Sequence, residues 1–173
     1  MHQITYMPAD DPLFGTVDVD LDHEAGVLVV VGDGVPRADV RRAAGTPLES
    51  HVPIGTRDPG RLTMSVDGTA VSLRPAKGFL TRGSYRVDIG SGAKEYGHRL
   101  VPVSLGTSRL LREGTSLGVF TSTGDGIVTA EWETGTAPGP YDASVGYALA
   151  AAFGTGAEPM WKLTLDAALA IWF

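Results

Sequence analysis

Between Thr16 and Asp22 the apolar residues Val17, Val19 and Leu21 alternate with Asp18, Asp20 and Asp22, the period of two that marks a strand with one face in water. His23 to Gly26 supplies a loop, and Val27 to Val31 is apolar at every position, as expected of a strand covered on both faces. Gly32-Asp33-Gly34 ends that strand. Pro36 to Ala44 reads differently: a proline at a first-turn position and Gly45 as a stop predict a short helix. Residues 45–60 hold Pro47, Pro53 and Pro59 among several glycines and read as a loop or edge segment rather than a central strand. Arg61 to Val66 and Thr69 to Arg74 then flank Asp67-Gly68, the dipeptide of a type I′ hairpin. Tyr85 to Ile89, His98 to Val103, Ser108 to Arg112, Ser116 to Thr121 and Ile127 to Glu133 continue as short strands with Gly-containing connections, Glu113-Gly114 and Gly124-Asp125-Gly126 among them.

The pattern then changes. Thr134 to Pro140 is a linker of Gly, Thr and Pro, and Asp142 stands as a natural N-cap for an Ala-rich helix over Ala143 to Phe153, stopped by Gly154. Beyond it two periods coexist: Trp161, Leu163, Leu165, Ala167, Leu169, Ile171 and Phe173 alternate as on a strand, while Trp161, Leu165, Ala168, Leu169 and Trp172 share one helical face. Helix is the reading followed here, with strand as the alternative. From Ala143 to Phe173, 21 of 31 residues are apolar, so this block needs cover from the chain's own core, a partner or a membrane surface. Neither apolar run reaches the roughly 20 residues that span a bilayer, and Glu158, Pro159 and Lys162 separate the two, so no transmembrane segment is expected.

Regular short strands with turn signals, followed by an apolar helix, predict a mainly β fold: an antiparallel meander closing into a barrel or sandwich, with the C-terminal helix, or helix plus strand, packed in or on it. One domain is expected over residues 1–173, its apolar segment covering 142–173.

Composition narrows the function more than the fold. Cysteine is absent, which removes thiol chemistry and disulfides and suits a reducing, cytoplasmic setting. Residues 1–30 lack the basic start and apolar run of a secretory signal, so Met1 is read as the true start. A net charge of −6 argues against nucleic acid and against an electrostatic hold on an anionic membrane surface.

Candidate chemistry is sparse. Asp18, Asp20 and Asp22 are the densest set of potential metal ligands, but alternate positions on one strand stand about 7 Å apart and lack the curled loop of a calcium site, so they read as a solvated acidic face. His2, His23, His51 and His98 are isolated in sequence, with no spacing that aims two imidazoles at one metal, and read as structural. No nucleophile elbow or phosphate loop occurs, so no catalytic residue, metal or cofactor is expected. Arg37, Arg41 and Arg42 read as a solvated face, the alternative being an anion-capturing patch with Arg57 and Arg61. Trp132, between Glu131 and Glu133, is expected to point inward.

The order of features from Tyr85 to Phe153, with meander strands such as Ser108-Arg109-Leu110-Leu111-Arg112-Glu113-Gly114, then Ile127 to Glu133, then Asp142 opening Tyr147-Ala148-Leu149-Ala150-Ala151-Ala152-Phe153, resembles the tubby C-terminal-like superfamily, which includes LURP-one-related and phospholipid-scramblase proteins. The resemblance implies a closed antiparallel barrel threaded by an apolar helix, and binding rather than catalysis. The chain departs from that pattern in its additional segment, Glu158 to Phe173, and in its acidic balance, which does not suit phosphoinositide binding.

The expectation is therefore a non-enzymatic binding or scaffold domain for a partner protein or apolar ligand, including self-association, with Trp161, Leu165, Leu169, Trp172 and Phe173 as core or docking residues. The alternative is a small-barrel enzyme of the cyclase or isomerase kind, enclosing an apolar substrate against Phe79, Tyr85, Tyr96, Phe120 and Trp132.

Overall fold

In the computed structural model, which describes residues 6–76, 85–91, 94–104, 106–122 and 127–155, eleven strands pair each with the next in a single antiparallel meander. They are β1 (Ala9–Asp11), β2 (Gly15–Asp22), β3 (Val27–Gly32), β4 (Val35–Arg42), β5 (Leu62–Val66), β6 (Thr69–Pro75), β7 (Val87–Ser91), β8 (Lys94–Ser104), β9 (Thr107–Arg112), β10 (Thr115–Ser122) and β11 (Val128–Trp132). The sheet curls until β1 and β11 lie side by side, nearly closing a barrel. One helix, α1 (Pro140–Phe153), packs inside the curve and touches strands from β2 around to β11.

Alternation sends Val17, Val19 and Leu21 of β2, Leu28 and Val30 of β3, and Leu62, Met64 and Val66 of β5 inward. Asp67 at φ 52° and Gly68 at φ 77° make the turn between β5 and β6 that the sequence predicts, and Glu113 at φ 49° with Gly114 at φ 83° repeat it between β9 and β10. The long 43–61 loop lays buried Val52 and Ile54 across the end of α1, where the Ile54 amide donates to the Ala152 carbonyl at 2.9 Å.

Two expected features are corrected. Residues 36–42 form strand β4 rather than a helix, because Ala38 and Val40 alternate inward and both edges of the segment are taken, by β3 and by β5. Pro36 fits beside the register shift at the end of the β3–β4 ladder, and its carbonyl accepts the Ser144 hydroxyl. Asp142 is not the N-cap of α1: Gly139 caps, Pro140 opens the first turn, and Asp142 reaches back to accept the Gly139 N–H at 2.7 Å. Gly154, at φ 76°, stops the helix as expected.

Every residue of α1 from Asp142 to Ala152 is buried, so the helix has no wet face. Its small side chains let the barrel approach on all sides. At Gly146 a Cβ would lie 2.3 Å from the ring of Phe120, which is itself wedged edge-on against Trp132 and Tyr147. Trp132 points inward as expected, and its indole N–H donates to Asp11 at 3.0 Å across the seam between β11 and β1. The same carboxylate accepts the Tyr147 hydroxyl at 2.7 Å and the amides of Leu13 and Phe14, so one buried side chain ties together both ends of the sheet and the helix. Burial, reinforced by Asp11, pushes the Tyr147 phenol well above its ordinary value.

Two outcomes follow for stability. Gly146→Ala, which raises helix propensity, is expected nonetheless to cost about 1–3 kcal/mol by overpacking; an unchanged or higher urea midpoint would mean that the Phe120 ring yields. Asp11→Ala leaves the Trp132 and Tyr147 donors buried without their acceptor, at about 1–3 kcal/mol each, while Asp11→Asn costs less because one carbonyl oxygen still accepts. Urea midpoints followed by circular dichroism rank the three proteins.

Candidate functional site

At the end of the barrel where α1 enters, inward alternation runs out into charge. On β8 the buried series Leu100 and Pro102 begins with His98, and on β9 the series Ser108 and Leu110 ends with Arg112. His98 and Arg112 are directly paired across the β8–β9 ladder, so both stand on the inner face. Asp142, in the first turn of α1, sits between them. His98 Nε2 donates to Asp142 Oδ1 at 2.6 Å and Arg112 Nη1 donates to Oδ2 at 2.5 Å, with the Gly139 amide on Oδ2 as well. A carboxylate only accepts, so the Nε2 of His98 carries the proton and the remaining lone pair of a neutral ring lies on Nδ1. The Tyr141 ring leans on His98 at 5.6 Å between centroids.

Burial opposes the charge of Asp142, but the hydrogen bonds from His98 and Gly139 and the charges of His98 and Arg112 outweigh it and hold the carboxyl below its ordinary value. The cluster opens on a cleft of about 180 Å³ lined by Ile89, Gly90, Gly97, His98, Arg112, Glu113 and Tyr141. A second cleft of about 210 Å³ shares Gly97, His98 and Glu113 and continues toward Arg99 and Leu111. An oriented imidazole, a guanidinium and an aromatic ring beside a small cleft can bind a polar ligand or move a proton.

No family model, curated protein or solved structure matches the chain. The site is accordingly read from its own geometry. His98 was expected to be an isolated structural histidine, because its partners lie 14 and 44 residues away in sequence and only the ladder and helix bring them together. The available signal was the period of two, which places His98 in line with Leu100 and Arg112 in line with Leu110.

The other candidates fall elsewhere. Asp18 and Asp20 are exposed on the outer face of β2, and Asp22 accepts the Ala25 amide in the following turn. Among the described residues no group of three or more His, Asp or Glu side chains is arranged to hold a metal ion. The arginines do not form one patch: Arg37 and Arg41 pair with Asp39 outside the barrel, whereas Arg42 and Arg57 donate to backbone carbonyls, Arg42 to His23, Glu24 and Ile54, and Arg57 to Ala76 and Tyr85. Arg57 also lies 5.5 Å from the ring centres of both Tyr85 and Phe153, and burial lowers its guanidinium from the ordinary value. Trp161, Leu165, Leu169, Trp172 and Phe173 lie outside the described residues, as do Phe79 and the Tyr96 side chain. No helix of the described residues is long and apolar enough to cross a membrane.

The lowered Asp142 carboxyl links stability to pH. Its contribution is complete above the ordinary aspartate value near 4 and is lost as pH falls through the lower folded value, so wild type should lose stability on acidification more steeply than Asp142→Asn. At neutral pH Asp142→Asn is expected to cost about 1–3 kcal/mol. Asp20→Ala should stay within about 0.5 kcal/mol at any pH. Urea midpoints at a series of pH values check all three; parallel acid limbs for wild type and Asp142→Asn would contradict the linkage.

Proposed function

We propose that the chain is a non-enzymatic binding or scaffold domain that engages a partner protein, a further copy of itself or an apolar ligand through its outside. The observation that carries this reading is that α1 takes the space a β-barrel enzyme would give to its substrate. Of the side chains considered for a substrate cavity, Phe120 packs on both Tyr147 and Trp132, and Tyr85 is 39% exposed on the surface. The competing reading, an enzyme enclosing an apolar substrate, needs interior room that the helix fills.

The likeness to the tubby C-terminal-like superfamily enters this proposal as one of architecture, a barrel built around an apolar helix with binding left to the exterior. The sequence beyond Thr155 carries Trp161, Leu165, Leu169, Trp172 and Phe173, and we assign these apolar side chains to the contact with the partner.

Sedimentation velocity of the full chain tests the assignment together with urea unfolding of Leu165→Ala and Leu169→Ala. The expected result is concentration-dependent association of wild type that both variants weaken, with urea midpoints within about 0.5 kcal/mol of wild type. A monomeric wild type whose variants lose about 2–5 kcal/mol would instead place these residues in the chain's own core and overturn the docking reading.

A further inference from the structure

We infer that the cleft over His98 and Arg112 is a binding site for a small oxyanion, a carboxylate or phosphate group, held by the Arg112 guanidinium with the second ring nitrogen of His98 beside it. This site is independent of the docking contact proposed above. Asp142 takes one guanidinium nitrogen and the Nε2 of His98, and its own charge is consumed there and on the Gly139 amide. The Arg112 side chain is nevertheless 40% exposed, and Asp142 is the one acceptor the structure gives it among the described residues. The planar fork of a guanidinium matches an oxyanion, so a half-engaged Arg112 fixed by a buried carboxylate is preorganised for a second one.

His98 adds direction. It is 9% exposed, its Nε2 is committed to Asp142, and it lines both clefts. The groups facing it are Asp142 and Tyr141 from α1, Arg112 from β9 and Glu113 from the following turn, while Ile89 and Gly90 of β7 bring no charge. A neutral His98 offers an acceptor at Nδ1 and a protonated one offers a second donor, so an oxyanion binds more tightly as the ring gains its proton. The missing side chains of Gly90 and Gly97 leave the space, and a volume of about 180 Å³ suits a small acid rather than a drug-sized ligand. Glu113 on the rim is the lining residue whose charge opposes an anion.

The probes are sodium acetate and inorganic phosphate, titrated into the full chain at constant ionic strength and followed by amide NMR. Saturable shifts are expected at Gly90, Gly97 and Glu113. Arg112→Gln should weaken them at least about tenfold and Glu113→Gln should strengthen them.

Arg112→Gln also strips Asp142 of a partner, so Gly97→Val serves as a second variant. Its Cβ would meet the Ile89 carbonyl at an ordinary 3.8 Å, and the added side chain fills the cleft while both charges stay in place. Saturation by both probes supports a general oxyanion site, and saturation by phosphate alone narrows it to phosphate groups. Shifts that do not saturate for either probe, or that persist unchanged in folded Gly97→Val, overturn the site.

Discussion

The nearly closed barrel of eleven strands among the described residues needs something in its middle, and here that need is met by a helix that is buried on every side. This constraint governs the rest of the molecule. A helix surrounded by protein cannot leave its terminal N–H and C=O groups to water, so each end must find partners in the wall. At the far end the Ala150 carbonyl takes the Gly154 amide, Ala151 takes the Tyr6 hydroxyl and Ala152 takes the Ile54 amide. Thr155 completes that end by accepting the Ser122 amide and donating to the Gly106 carbonyl. At the near end Asp142 closes the first turn on Gly139 and then reaches the wall through His98 and Arg112.

Two buried carboxylates therefore do related work in different places. Asp11 sits at the seam, where the sheet would otherwise end in two edges, and gathers donors from the β1 turn, from Trp132 and from Tyr147. Asp142 sits at the mouth and gathers donors from the linker and from two strands. Each is costly to bury and each accepts at least three hydrogen bonds, so each resists any sliding or rotation of the helix that would break them. The difference between them is access. Trp132 and Tyr147 hold Asp11 against the helix, whereas the partners of Asp142 open on a cleft, which is why the mouth rather than the seam is the place to look for a ligand.

Much of the sheet was readable because its signals are local. Alternation in β2, the Asp67-Gly68 turn and the stop at Gly154 each rest on residues within a few positions of one another, and the structure has them where the pattern places them. Residues 36–42 misled for a physical reason: a proline followed by Arg and Ala satisfies the rules for a helix start, but two neighbouring strands offered ladders on both sides, and tertiary pairing overrides a short local preference. The cap of α1 was displaced by three residues because Gly139 has no side chain to announce it.

What the sequence determined by itself is the class of the fold: β-meander first, apolar helix second, an acidic outer face on β2 and no disulfide, since each of these follows from period, turn chemistry or composition. Only the tertiary structure decided that the helix lies within the sheet's curve rather than on its surface, and only it decided which side chains His98 meets. The period of a strand tells which side a residue faces but not what waits there. Bringing His98, Arg112 and Asp142 to one point requires the register of β8 against β9 and the depth of α1 in the barrel, both set by long-range packing that no local pattern encodes.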